Sequence, residues 1–238
     1  TKLTKIFEDQ LSGYVVGSRE LYKQFFKPNI TPIFLFTKIY TKIPDQSKQL
    51  DVYSIKNSDV FIYKIKEDLK NFYRLIPPEL KLTEDQYEIL NVARKVLSEH
   101  KPKDDEFLEP DKLRRTFYNI GRDLLIDLLN SKNLEMPLEE INELAKILVR
   151  YTIGFGVVEL LLRDTKIQDI VINSPIGQTP IFLVHEEFGD CVTNIIPSSE
   201  DAESWATKFR LLSGRPLDQA NPILDTELSI PGARSRVA

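Results

Sequence analysis

The apolar residues of this chain change their period twice, and that change sets the fold class. Over 83–164 they recur at intervals of three and four, the spacing of helices that bury one face. Before residue 80 and after residue 165 they gather in short runs of β-branched and aromatic residues, which read as strands. The sequence therefore predicts an α+β protein. Its parts are a small α+β segment over 1–80, a helical bundle and linker over 81–164, and a compact sheet-and-helix domain over 165–238.

Each helix carries its own boundary signals. Thr83 followed by Gln86 has the form of a capping box and opens a helix with Tyr87, Leu90, the Arg94 stem and Leu97 on one face. Pro110 suits the first turn of a second helix, whose Leu113, Phe117, Ile120, Leu124 and Leu128 form one continuous stripe. A third helix starts near Pro137, with Glu139 and Glu140 placed to favour its N-terminal dipole and Ile141, Leu144 and Leu148 on one side.

In the first segment, strands are expected over 33–40, 50–55 and 60–65, separated by turn sequences at 44–47 and 57–59 and closed by Pro77-Pro78. In the last, strands are expected over 167–173, 180–185 and 191–195, with Gly189-Asp190 at the hairpin turn between the second and third. A helix over 199–212 should end at a left-handed Gly214, with Pro216 preventing its resumption. Asn221-Pro222 marks a turn before a strand over 223–228, and 234–238 reads as a strand that continues past the last residue.

Composition narrows the function classes. With 238 residues, 42% of them hydrophobic, the chain can bury a core without covalent staples. Cys191 is the single cysteine and no Cys/His cluster accompanies it, so neither an internal disulfide nor a structural metal site is expected, and a reducing compartment fits. Net charge is −4, spread as +4 over residues 1–80 and −8 over the rest, too mild a bias to predict a nucleic-acid partner. Apolar runs such as 33–36 and 157–162 fall far short of the roughly 20 residues that a membrane-spanning helix needs. The chain opens on Thr1 with no signal-peptide pattern, so any membrane contact is expected to be peripheral.

No catalytic signature stands out. None of the nine glycines precedes a lysine, so the phosphate-cradling G-x-x-x-x-G-K-[ST] loop is absent from the sequence. Gly154-Phe155-Gly156 begins like a dinucleotide fingerprint, but Glu159 stands where the third glycine belongs, and the pair follows a helix rather than a strand. The pair reads instead as a break between helices, with Gly154 and Gly156 as a hinge joining the bundle to the terminal domain. His100 and His185 have no catalytic or metal-ligand spacing and read as structural, and the Asp104-Asp105-Glu106 run reads as a solvated loop.

Between 154 and 237 a series of motifs stands in a characteristic order. Gly154-Phe155-Gly156 leads through Glu159-Leu160-Leu161-Leu162-Arg163-Asp164 to Ile167-Gln168-Asp169-Ile170-Val171-Ile172-Asn173. Then come Val192-Thr193-Asn194-Ile195, Ser213-Gly214-Arg215-Pro216-Leu217, Asn221-Pro222-Ile223-Leu224-Asp225 and Gly232-Ala233-Arg234-Ser235-Arg236-Val237. This region resembles the domain preceding the ATPase core in the type II/IV secretion ATPase superfamily, especially its archaeal members. Residues 60–151 look like the additional N-terminal region of archaeal secretion, pilus and archaellum motors, and 1–59 match no pattern. Two departures stand out: Val157-Val158 replaces a small or proline-containing pair, and Arg234-Ser235-Arg236 offers two arginines where one is usual.

The resemblance implies a cytoplasmic homohexamer lying peripherally at the inner face of the membrane beneath a platform protein. ATP and Mg²⁺ would be held by its own C-terminal ATPase core. This region would pack on that core, lack ATPase activity by itself and be at most a weak oligomer alone. Similar domains supply phosphate-contacting arginines from this part of the chain, which makes Arg210, Arg215, Arg234 and Arg236 the nucleotide-contacting candidates, since a guanidinium fork suits phosphate oxygens. The competing expectation is a stand-alone cytoplasmic adaptor that recognises a protein through its helices.

Overall fold

In a computed structural model, residues 37–66, 68–99 and 110–238 are described. The fold is α+β, and its central element is a six-stranded mixed sheet. Strand β1 (Lys38–Ile39) is followed by β2 (Ser47–Ile55), β3 (Ser58–Ile65) and β4 (Asn71–Ile76). A 3₁₀ turn (Pro78–Lys81) then leads into helices α1 (Glu84–Glu99), α2 (Pro110–Ser131), α3 (Leu138–Thr152) and the short α4 (Val158–Leu162). The chain returns to β structure in β5 (Ile167–Val171), β6 (Phe182–His185), β7 (Gly189–Thr193) and β8 (Ile195–Ile196). Helix α5 (Ser199–Ser213) and a hairpin of β9 (Thr226–Ile230) and β10 (Ala233–Val237) complete it. Among the described residues no helix is long and apolar enough to cross a membrane.

The sheet order is β2-β3-β4-β7-β6-β5. All neighbours are antiparallel except β4 and β7, which run parallel with Asn71 opposite Cys191 and Tyr73 opposite Thr193. A parallel pair needs a long crossover rather than a hairpin. Here the crossover contains helices α1–α4 together with β5 and β6, so the sheet takes strands from both sides of the helical segment, and the described residues form one compact unit. Element type changes near residues 80 and 164, but the strands on either side share one core. That core joins Val60, Ile62, Tyr73 and Leu75 of β3 and β4 to Leu160 and Leu161 of α4. Burial of each of these leucines contributes roughly 1.5–3 kcal/mol.

Asn194 stitches the two halves. Its Oδ1 accepts from Leu75 N at 2.8 Å while its Nδ2 donates to the carbonyls of Tyr40 and Leu75 at 2.8 and 3.0 Å. A second polar knot ties the end of α4 to the sheet. Asp164 Oδ2 accepts from the hydroxyls of Tyr53 and Tyr73 at 2.6 and 2.8 Å, and His185 Nε2 lies 3.2 Å from the Tyr53 hydroxyl. Burial, reinforced by the Asp164 charge, pushes both phenols above their ordinary range. His185 is buried in this knot, and burial lowers its pKa. His100 and 104–106 lie outside the described residues, as do 33–36 of the first expected strand.

The caps follow their sequence signals. Thr83 N donates to Gln86 Oε1 at 3.0 Å and Gln86 N to Thr83 Oγ1 at 3.3 Å, forming the expected box. Ser198 and Asp201 form a second box at the start of α5, whose end is Gly214 at φ 64°. Helix α2 departs from its expected stripe: Leu113, Phe117, Gly121, Leu125 and Leu129 are buried, while Ile120 is 49% exposed. The reason is Gly121, where a Cβ would come within 3.1 Å of Leu148 Cδ2; its absence lets α2 lie close against α3 and turns Ile120 outward. The β6–β7 turn comes one step earlier than expected, over 186–188, because Gly189 already pairs with His185. The strand expected over 223–228 begins at Thr226, leaving Ile223 exposed.

Candidate functional site

Three of the four candidate arginines meet at one concavity, Arg234 and Arg236 from the terminal hairpin and Arg215 from just after α5. In β10, Arg234 and Arg236 are two residues apart, so the pleat places both side chains on the exposed face. Arg236 grips Asp225 with two bonds, Nε to Oδ1 at 2.9 Å and Nη2 to Oδ2 at 2.5 Å. Arg234 Nε lies 3.0 Å from Glu227 Oε1, and Arg215 Nη1 is 3.5 Å from the Asp225 carbonyl oxygen. Together these residues line an open concavity of about 570 Å³. The Arg236 hydrogen bond holds the Asp225 carboxyl below the usual carboxylate range, and the same bond raises the Arg236 guanidinium. Arg210 is not part of this face: its Nη2 donates to Thr207 Oγ1 at 3.1 Å, and its backbone carbonyl accepts the Gly214 amide.

A second constellation surrounds Glu159, which α4 carries into the interior at 0% exposure. Its Oε1 accepts from Arg114 Nη2 of α2 and, at 3.0 Å, from Phe155 N. Its Oε2 accepts from Arg163 Nη2 at 3.2 Å and from Arg114 Nη1 at 3.3 Å. Arg163 also donates through Nε to the Pro231 carbonyl at 3.0 Å, tying the site to the β9–β10 turn. Beside it, Arg150 of α3 pairs with Glu79 of the 3₁₀ turn, both buried. Lys208 of α5 donates to the Gly154 carbonyl, and burial lowers its pKa to about 8. Arg114, Arg150 and Arg163 also line a cleft of about 650 Å³ between the helices, the β2–β3 turn and Pro231.

Gly154 and Gly156, the expected hinge, sit against this cluster. Gly156 takes φ 62°, the left-handed region that favours glycine, and Gly154 lies packed against Glu159. Spacing in the sequence gives Glu159 and Arg163 only a place in a motif, and gives Arg114 and Arg150 none. A signal existed: Glu159 interrupts the run Val157-Val158 and Leu160-Leu161-Leu162, and Arg150 follows Ile147-Leu148-Val149. A charge inside an apolar run must be paired when the run is buried. What the spacing could not supply was the partner, since Arg114 is 45 residues from Glu159.

No family model matches the chain. It is 24% identical over 193 residues to the uncharacterized protein MJ1288 of Methanocaldococcus jannaschii, a match covering 79% of this chain and 73% of that protein. Two further proteins of the same organism are similar, the uncharacterized MJ0781, 25% identical over 187 residues, and MJ0900, 28% identical over 221 residues. Those matches cover 75% and 81% of this chain but 23% and 39% of the relatives, so the chain spans well under half of either.

Proposed function

We propose that this chain is the N-terminal regulatory and assembly region of a hexameric ATPase that powers protein secretion or pilus assembly. In this reading it packs on the nucleotide-bearing core of the full-length protein, at the inner face of the membrane beneath a platform protein, and moves with the state of the nucleotide. The observation that carries the reading is the gathering of Arg215, Arg234 and Arg236 at one open concavity. The match of the chain to 23% and 39% of two longer relatives agrees with a region that works inside a larger protein.

The residues on the hairpin suit a phosphate. Asp225 and Glu227 hold the guanidinium forks in place, and an incoming phosphate, with more charge and more acceptor oxygens, competes with these carboxylates for the same donors. Both arginines of β10 are more than three-quarters exposed, so the exchange does not require the fold to open. Nucleotide and Mg²⁺ held by that core would supply the phosphoryl chemistry. The part of this chain is to place positive charge where it develops in transfer and to report phosphate loss by letting the arginines return to Asp225 and Glu227.

The test is hydrolysis by the full-length protein carrying Arg215→Ala, Arg234→Ala, Arg236→Ala or Arg210→Ala. At least one hairpin variant should lose activity by two or more orders of magnitude, within the range of roughly 10³ to 10⁵ known for the strongest arginine contributions, while Arg210→Ala retains it. Wild-type rates in all three hairpin variants overturn the reading. So does a downstream coding sequence with no G-x-x-x-x-G-K-[ST] motif, which would favour a stand-alone interaction adaptor.

A further inference from the structure

The cleft beside Glu159 has a charge imbalance that its internal pairing does not resolve. Six cationic side chains line it, Lys56, Arg114, Arg115, Lys146, Arg150 and Arg163, against two carboxylates, Glu143 and Glu159. Arg114 and Arg163 share Glu159, Lys146 bonds Glu143 at 2.5 Å, and Arg150 pairs with Glu79 behind it. Lys56 and Arg115 have no ion-pair partner among the described residues.

Three further observations point to a ligand. Arg150 is only 7% exposed, lines the cleft, and has its Nε buried with no hydrogen-bond partner. Buried donors are normally satisfied, and Arg150, bonded through Nη1 to Glu79, keeps a donor unmet on a side chain that lines the cleft. Lys56 occupies the β2–β3 turn at φ 53°, where Gly or Asn costs less, and its Nζ extends to within 3.9 Å of where a Cβ would stand on Gly232 in the opposite turn. Tyr118, Val149 and Leu160 add apolar and aromatic surface beside the polar Asn57 and Ser58, and the volume of about 650 Å³ is that of a small-molecule site.

We propose that this cleft binds a phosphate-bearing small molecule, its phosphate taken by Arg115 and Lys56 at the rim and by Arg150 at the floor. Arginine forks and a lysine point charge are the donor set that phosphate oxygens use, and the surplus of cations favours an anion of more than one charge. Arg114 and Arg163 shape the wall but are held by Glu159, whose charge keeps them from the ligand. The site is separate from the hairpin arginines and does not rest on the ATPase reading.

The experiment is calorimetric titration of the whole 238-residue chain with pyrophosphate and, separately, with ATP. Either should bind one to one with Kd below about 1 mM, weakening as salt is raised. The double variant Lys56→Ala/Arg115→Ala should weaken binding at least ~10-fold with an unchanged thermal midpoint, and Arg115→Glu alone should do the same. In the variant Arg234→Ala/Arg236→Ala, which removes any phosphate held by the hairpin, the binding that the rim variants abolish should persist. ATP binding more tightly than pyrophosphate assigns the ligand to nucleotides, whereas equal binding assigns it to inorganic phosphates; both support the site. Absence of binding at about 5 mM of either ligand overturns it. Binding that survives both rim variants, or that is lost only in the hairpin variant, overturns it equally.

Discussion

A Cβ at position 154 would stand 2.3 Å from Oε1 of Glu159 and 2.7 Å from the Arg150 carbonyl oxygen. Gly154 is therefore the space into which the buried carboxylate folds back. Neither neighbour yields easily, since one is helix backbone and the other is held by Phe155 N and Arg114. We expect Gly154→Ala to destabilise the chain by about 1–3 kcal/mol, the usual cost of overpacking, measured by urea unfolding. A midpoint equal to wild type would show that Glu159 moves aside freely.

Among the described residues, Glu159 is the one carboxylate bonded to both Arg114 and Arg163. Replacing it by glutamine preserves the shape and an acceptor for Phe155 N but removes the charge that compensates two largely buried guanidinium groups. The expected loss is about 3 kcal/mol or more, because breaking a buried pair leaves its partner desolvated and unpaired. The same variant should lower the Lys208 pKa further, since the Glu159 charge acts to raise it. A stability within error of wild type would mean that solvent already reaches these arginines.

Lys208 makes stability depend on pH in a defined window. Burial lowers its folded pKa from 10.5 to about 8, so between these values the unfolded chain holds the proton more firmly than the folded one. Stability therefore rises with pH across that window, and the cost is fully present below about 8. Measured against Lys208→Met, which lacks the titration, wild type should gain up to about 3 kcal/mol between pH 8 and 10.5. The comparison is needed because the buried tyrosines act with opposite sign near the upper end: their raised pKa values cost stability as pH climbs through the unfolded value. A difference that stays flat with pH contradicts the assignment.

Local features of the fold were legible in the sequence because they are decided by neighbours. The Thr83–Gln86 box, the left-handed Gly214 and the start of α3 after Pro137 all depend on residues within one or two turns. The facing of β10 follows from the pleat, which is why Arg234 and Arg236 share a surface. Outcomes that depend on a distant contact are not written in local spacing. The stripe of α2 turned because Gly121 lies against Leu148, 27 positions away, and no periodicity within α2 records that approach.

The sequence by itself determined the α+β class, the caps and most element types, though not strand β4, since hydrophobic period, capping chemistry and glycine backbone freedom act over a few residues. Tertiary structure decided that β4 lies parallel to β7, that Asp164 gathers Tyr53 and Tyr73, and that Glu159 collects Arg114 and Arg163 beside a cationic cleft. The physical reason is the same each time. A buried charge or an open strand edge must find a partner, but sequence spacing does not say which distant residue the crossover will bring to it.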